Sequence, residues 1–183
     1  IGVEPGTGDI LYECLDCPPD ESSCYGNVFR SGGGAYLTVG ATSGWWPGYN
    51  GATLYDQGNA IRLRAGGVTT TITTQLSDLE DVVAVRATLD GFLVVSREGS
   101  SLHAFLIDTD GSVSPEGSYP LHPGYDRPSH YRLAANGDLY LIVEEVGSIT
   151  GYRSVLRLLI GAVDPVVLLF AGADHRTSLI TGP

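Results

Sequence analysis

One pattern occurs three times in the chain: an arginine, a short linker that ends in glycine, and an alternating apolar strand. The copies read "VFRSGGGAYLTVGA", "AVRATLDGFLVVSRE" and "HYRLAANGDLYLIVEE". Their arginines, Arg30, Arg86 and Arg132, lie 56 and 46 residues apart. A glycine between two short strands suits a tight hairpin, where the backbone often has a positive φ. Each copy is therefore predicted to be the first hairpin of a repeated β unit.

Short strand signals fill the rest of the chain, and no long window shows a helical apolar period. Segments such as "NAIRLRAG", "FLVVSRE" and "PVVLLFAG" are rich in Val, Ile and Leu and are bounded by Gly, Asn or Pro. A repeat of about 40 to 50 residues with four strands per unit is typical of a β-propeller. The sequence therefore predicts an all-β chain, 1–183, that is a propeller or part of one, and the alternative is a β-sandwich.

Three four-stranded blades are expected, at approximately 25–81, 82–128 and 129–172, with partial blades formed by "GDILYE" and "HRTSLITG". The strands of the first blade would be "GNVFRSG", "AYLTVGA", "NAIRLRAG" and "VTTTITTQ". An incomplete propeller leaves apolar blade faces and strand edges without neighbours. Self-association, or pairing with a missing remainder of the same protein, is therefore expected.

The repeated hairpins resemble those of bacterial WD40-like and lactonase-type β-propellers. The resemblance rests on "LAANGDLYLIV" and "RATLDGFLVV", in which a turn ending in Gly or Asp leads directly into a strand. The tryptophan-aspartate and glycine-histidine pairs of true WD40 repeats are missing, and so is the aspartate box of the sialidases. The resemblance implies a fold and says little about activity.

The segment Gly40–Asn59 is interpreted as a loop inserted into the first blade. It contains four aromatic residues among Gly, Pro and Asn: Trp45, Trp46, Tyr49 and Tyr55. Aromatic rings on a loop can stack on a sugar or anchor a protein partner. These four residues are the candidate ligand-binding site. The alternative is that the rings cover an exposed end of the core or a neighbouring blade.

The charge and composition of the chain limit which partners and which chemistry are plausible. The net charge is −11, which disfavours binding to nucleic acid because phosphate backbones are also negative. All ten basic residues are arginine, so lysine chemistry is excluded. No run of about 18 apolar residues exists, so no membrane span is predicted. Because the chain opens on Ile1, we expect a processed product or a fragment.

Three cysteines lie close together, Cys14, Cys17 and Cys24, in "CLDCPPDESSC". A disulfide from Cys14 or Cys17 to Cys24 would staple a polar surface loop in an oxidising compartment. The alternatives are free thiols or a metal site, although a structural zinc site requires four ligands. The disulfide interpretation predicts an extracellular or periplasmic protein.

Two further groups of polar residues have a functional and a structural interpretation. "IDTDGSVSPE" contains Asp108, Asp110 and Glu116, which either begin a calcium loop or form a hairpin turn. The full calcium-loop pattern is absent, so the turn is favoured. The three repeated arginines either bind an anion together or pair with acids and pack between blades.

Catalytic motifs are absent from the sequence. The histidines His103, His122, His130 and His175 show no metal-binding spacing, and no G-x-S-x-G motif is present. No catalytic residue, metal ligand or cofactor is therefore assigned. We expect an exported, non-catalytic binding or scaffold module that recognises a protein or glycan through loops at a propeller face. The alternative is a propeller hydrolase or lactonase with its site on the central channel.

Overall fold

The computed structural model describes ten ranges of the chain: 2–16, 25–31, 35–39, 44–57, 60–72, 81–98, 101–120, 125–145, 153–160 and 166–171. Sixteen β-strands lie in these ranges, and they form four antiparallel sheets of four strands each. In every sheet, the strands are neighbours in the order in which the chain visits them. The all-β prediction is confirmed.

The first two sheets occupy the N-terminal part of the chain. Sheet 1 contains β1 (Gly2–Val3), β2 (Ile10–Asp16), β3 (Tyr25–Arg30) and β4 (Ala35–Val39). Sheet 2 contains β5 (Trp45–Pro47), β6 (Thr53–Gln57), β7 (Ala60–Ala65) and β8 (Val68–Thr71), with a 3₁₀ turn at Tyr49–Gly51 between β5 and β6.

The other two sheets follow in the same manner. Sheet 3 contains β9 (Asp81–Thr88), β10 (Gly91–Glu98), β11 (Ser101–Asp108) and β12 (Val113–Pro120). Sheet 4 contains β13 (Tyr125–Leu133), β14 (Leu139–Glu145), β15 (Arg153–Leu158) and β16 (Val166–Ala171).

Side-chain alternation explains why these segments become strands. In β7, Ile61 and Leu63 are buried, whereas Arg62 and Arg64 between them are only partly buried. In β14, by contrast, consecutive residues from Leu141 to Val143 are all buried, so both faces of this strand are covered. A two-residue period suits the first strand, and a continuous apolar run suits the second.

The glycines at the hairpin turns have two different functions. Gly137, before β14, has a φ of +85°, as the hairpin prediction requires. Gly91, before β10, does not have a positive φ. A Cβ atom on Gly91 would lie 2.0 Å from the carbonyl oxygen of Ile107 on β11. Glycine is needed at position 91 because two strands approach closely there. The prediction that this glycine is required for a positive φ is wrong at this position.

The sheet boundaries differ from the division proposed at 25–81. That unit takes β3 and β4 from sheet 1 and β7 and β8 from sheet 2. The difference arises in Gly40–Asn59, which contains β5 and β6 instead of forming only a loop. Its Gly, Pro and Asn residues resemble a loop in composition, but Trp45 pairs with Tyr55 and Trp46 with Leu54 across two strands. The opening segment "GDILYE" likewise contributes β2 to a complete sheet.

Contacts divide the chain into two compact units. Unit 1 contains Ile1–Ser77, Ala87–Phe92 and Ile107–Val113, and unit 2 contains Asp78–Arg86, Leu93–Leu106 and Ser114–Pro183. In unit 2, sheets 3 and 4 pack on each other around one apolar cluster. Its buried members are Ala84, Val95, Leu102, Ala104, Tyr119, Leu133, Leu139, Leu141, Val143, Leu156 and Leu158.

Unit 1 has a smaller apolar cluster between sheets 1 and 2. Leu11 and Val28 of sheet 1 pack with Tyr55 of sheet 2, and Trp45 lies against this cluster. At the β5–β6 turn, a Cβ atom on Gly48 would lie only 2.5 Å from the ring of Phe92. Phe92 is fully buried, so the turn at Gly48 forms part of the cover over this ring.

Candidate binding surface

The four candidate aromatic residues lie on β5, the 3₁₀ turn and β6, and two of them belong to the core. Tyr55 is only 5% exposed and packs with Leu11 and Val28. Trp45 lies directly opposite Tyr55 in the strand pair and is partly buried against the same cluster. Since buried aromatic rings dominate core energetics, Trp45 and Tyr55 are placed to stabilise the contact between sheets 1 and 2.

Trp46 and Tyr49 are placed differently. Trp46 projects to the other side of β5 from Trp45, because successive side chains on a strand alternate. Its ring lies against the backbone of Gly44, where an added Cβ atom would be 3.0 Å from the ring. The ring of Tyr49 lies 3.4 Å from the position that a Cβ atom on Gly6 would occupy. Both rings remain partly exposed, and both lie against backbone at a glycine.

The first repeated arginine is already paired. Arg30 donates two hydrogen bonds to the carboxylate of Glu4, from Nε to Oε2 at 3.1 Å and from Nη2 to Oε1 at 2.9 Å. Thr7 Oγ1 donates a third bond to Glu4 Oε2 at 3.1 Å. Glu4 is 2% exposed, and a buried carboxylate requires such partners. This pairing matches the structural interpretation of Arg30.

The other two repeated arginines donate to backbone carbonyl groups. Arg86 Nη1 donates to the carbonyl of Leu133 at 3.1 Å, which links β9 to β13 within unit 2. Arg132 Nη1 donates to the neighbouring carbonyl of Tyr131 at 2.8 Å, and the Arg132 side chain is exposed. The three arginines have three different local functions, although their sequence positions are equivalent.

The aspartate-rich segment forms the β11–β12 turn. The backbone N–H of Ser112 donates to Asp110 Oδ1 at 2.8 Å, and Ser112 Oγ donates to Asp108 Oδ2 at 3.1 Å. Hydrogen bonding by the Ser112 backbone N–H, followed by the Ser112 side chain, lowers the pKa of Asp110 below its usual range. Glu116 lies further along on β12 and is exposed. The segment therefore has the geometry of a hydrogen-bonded hairpin turn.

A cavity of about 300 Å³ lies beside this turn in unit 1. It is lined by residues of β7, β8 and the two hairpin turns: Leu63, Ala65, Gly66, Val68, Thr70, Thr109 and Asp110. Sequence reasoning missed this cavity, because its walls come from segments about forty residues apart. The only local signal was the Asp-Gly turn.

Cys14 is on β2, where its backbone lies opposite Asn27 on β3. Cys17 and Cys24 lie outside the described residues. Asp16 and Tyr25 are directly opposite each other, so residues 17–24 connect two paired strands. The disulfide stays a prediction.

Two of the four histidines can be located. His103 Nε2 lies 3.3 Å from Glu98 Oε2 across the β10–β11 hairpin. His130 Nδ1 lies 3.0 Å from the hydroxyl of Ser129, and its backbone has a φ of +54°. A left-handed backbone is uncommon for a residue other than glycine. His122 and His175 fall outside the described residues.

Within the described ranges, no group of three or more histidine, cysteine, aspartate and glutamate side chains is placed to hold a metal ion. None of the helical segments in the described part of the chain has the length and apolar character needed to cross a bilayer. The chain matches no known protein-family model, and a search of curated proteins finds no significant match.

Proposed function

We propose that the four sheets are the blades of a β-propeller. Four consecutive sheets, each built from four sequential strands, support this architecture. So does the packing of successive sheets, sheet 1 on sheet 2 in one unit and sheet 3 on sheet 4 in the other. A β-sandwich has two sheets, whereas closed propellers have about four to eight blades. The expected self-association stays a prediction.

The function that this architecture supports best is binding. We propose an exported, non-catalytic module that recognises a protein or glycan through a surface containing Trp46 and Tyr49. The observation that carries the proposal is the placement of these rings, which are partly exposed and lie against backbone at Gly44 and Gly6. A ring that is already held in place loses little entropy on binding, and such aromatic residues are the usual anchors of binding surfaces.

A hydrolase is the second candidate, and one contact favours it. Ser129 and His130 place a hydroxyl and an imidazole 3.0 Å apart, within the distance at which a histidine activates a serine. The left-handed backbone at His130 is the kind of local strain that occurs at functional sites. Within the described residues, the His130 ring contacts Ser129 but has no hydrogen bond to a carboxylate that would complete a triad.

The experiment compares two adjacent tryptophans. The full chain is screened against an oligosaccharide panel and a displayed peptide library, and ligands selected by the wild type are then measured with the variants. We expect Trp46→Ala to weaken binding at least about thirtyfold, the loss typical of an aromatic anchor, while the protein still folds. Trp45→Ala should instead destabilise the fold by about 2–4 kcal/mol, because Trp45 packs on the core cluster.

Trp46→Phe is the matched control, since it retains an aromatic ring and should recover much of the binding. Wild-type binding by Trp46→Ala would contradict the proposal, and so would the selection of no ligand from either panel. Conversion of a bound oligosaccharide or peptide to a product during incubation would favour the hydrolase.

A further inference from the structure

The cavity beside the β11–β12 turn has a surface divided into an apolar and a polar part. Leu63, Ala65 and Val68 contribute apolar atoms, and Val68 is 65% exposed. Thr70, Thr109 and Asp110 also line the cavity, and these three residues carry two hydroxyl groups and one carboxylate. A volume of about 300 Å³ is at the lower end for small-ligand sites. The cavity therefore suits a small group with an apolar stem and a polar, hydrogen-bond-donating end.

The polar part is held in place by the turn itself. The Ser112 backbone N–H fixes Asp110 Oδ1 at 2.8 Å, and the N–H of Gly111 donates to the carbonyl of Asp108 at 2.9 Å. Gly111 approaches β8 so closely that an added Cβ atom would lie 3.0 Å from Thr70 Cγ2. This close approach places the β11–β12 turn directly beside β8, and both line the cavity.

The charge of the site selects a cation. The carboxylate of Asp110 is the only charged group that lines the cavity among the described residues, and the chain as a whole carries −11. An ammonium group has three N–H donors and no acceptor, which matches one carboxylate and two hydroxyl groups. An ammonium group is a compact point charge, whereas a guanidinium group is a larger planar fork. Because the cavity is at the lower end of ligand-site volumes, the site favours the ammonium group.

From this geometry we propose that the cavity binds a primary ammonium group on a short aliphatic stem, as in a lysine side chain or a free alkylamine. The stem packs along Ala65 and Val68, and the ammonium group donates to Asp110, Thr70 and Thr109. The chain contains no lysine, so the group comes from another molecule and not from the side chains of a second copy. This site is separate from the surface of Trp46 and Tyr49 and does not depend on it.

The test is an NMR titration of the ¹⁵N-labelled full chain with four probes: n-pentylamine, methylamine, and the N-acetyl, N-methylamide derivatives of lysine and arginine. We expect pentylamine and the lysine derivative to shift the amide signals of Val68, Thr70, Thr109 and Gly111, with dissociation constants of about 1–20 mM. Methylamine, which lacks the stem, and the arginine derivative should each bind at least about fivefold more weakly. Binding by pentylamine alone would assign the site to free amines, and binding by both would assign it to lysine side chains as well.

Asp110→Asn is the decisive variant. It retains the oxygen that accepts the Ser112 bond but removes the charge, so the turn is kept while affinity falls at least about tenfold. Asp90→Asn is the matched control, because Asp90 is also exposed, in the adjacent β9–β10 turn, and does not line the cavity. Trp46→Ala should bind the amines as the wild type does, which separates this test from that of the proposed function.

Three results would overturn the inference. If Asp110→Asn bound the amines as tightly as the wild type, the carboxylate of Asp110 would not be part of the binding site. An equal loss in Asp90→Asn would indicate a general attraction of cations to an acidic chain. Equal binding of the lysine and arginine derivatives would contradict the preference for an ammonium group.

Discussion

Replacing Tyr119 with phenylalanine should destabilise the fold by about 1–2 kcal/mol at neutral pH. Tyr119, on β12, is fully buried, and its hydroxyl donates to the carbonyl of Gly137 at 2.6 Å. Phenylalanine keeps the ring and its packing but removes the donor. The Gly137 carbonyl then loses a buried hydrogen bond, which is the source of the expected cost.

The same hydroxyl should make stability depend on alkaline pH. Burial, followed by the negative charge of Asp138, raises the pKa of Tyr119 to about 12. An unfolded tyrosine has a pKa of about 10, so the folded state holds this proton more tightly. The stabilisation is complete below about pH 10 and is lost as the pH rises through about 12. The difference of about two units between the folded and unfolded pKa values corresponds to a loss of stability of at most about 3 kcal/mol.

The assay is urea unfolding followed by far-UV circular dichroism, at a series of values between about pH 7 and pH 12. The other nine of the ten tyrosines are the same in both proteins, so their contributions cancel in the difference. The wild type should be more stable by about 1–2 kcal/mol at pH 7, and this difference should vanish or reverse near pH 12.

Tyr12→Phe is the control, because Tyr12 is 43% exposed and stacks on Phe29 with ring centroids 5.8 Å apart. Its stability should remain within about 0.5 kcal/mol of the wild type. If the difference between Tyr119→Phe and the wild type stayed constant across the whole pH series, the buried hydroxyl would not hold its proton as argued. Equal stability of Tyr119→Phe and the wild type at neutral pH would show that the hydrogen bond to Gly137 does not stabilise the fold.

Gly91→Ala should destabilise by about 3 kcal/mol or more, because its Cβ atom would lie 2.0 Å from the Ile107 carbonyl oxygen. Gly67→Ala, at an open turn with a φ of +80°, should cost only about 1–2 kcal/mol, and chemical denaturation measures both. A disulfide within residues 14–24 should lower the mass of the unreduced protein by two hydrogens. Alkylation of all three thiols without reduction would eliminate that prediction.

The candidate site shows how far residue type alone can lead. Aromatic content identified Trp45, Trp46, Tyr49 and Tyr55 as one group, and the structure divides that group. Tyr55 and Trp45 contact the core cluster, whereas Trp46 and Tyr49 contact backbone at glycines. The division depends on strand register. The Gly-, Pro- and Asn-rich segment 40–59 shows no clear apolar alternation, so its register could not be predicted from the sequence.

The sequence by itself determined the local structure of this protein. The two-residue period of β7, the apolar run of β14 and the turn glycine at Gly137 are each encoded within a few residues. Backbone preference and side-chain alternation act over such distances, so strands and hairpins can be predicted from the sequence. The repeated phrase likewise indicated sheets built from consecutive hairpins.

Only the tertiary structure decided which strands share a sheet and which side chains meet. Glu4 lies 26 residues from Arg30, and the cavity walls come from turns on two different sheets. Whether a polar side chain finds a partner depends on the approach of distant segments, and hydrophobic packing, which is not directional, determines that approach. A short apolar or aromatic segment therefore predicts that it will be buried, but it does not predict which other segment will cover it.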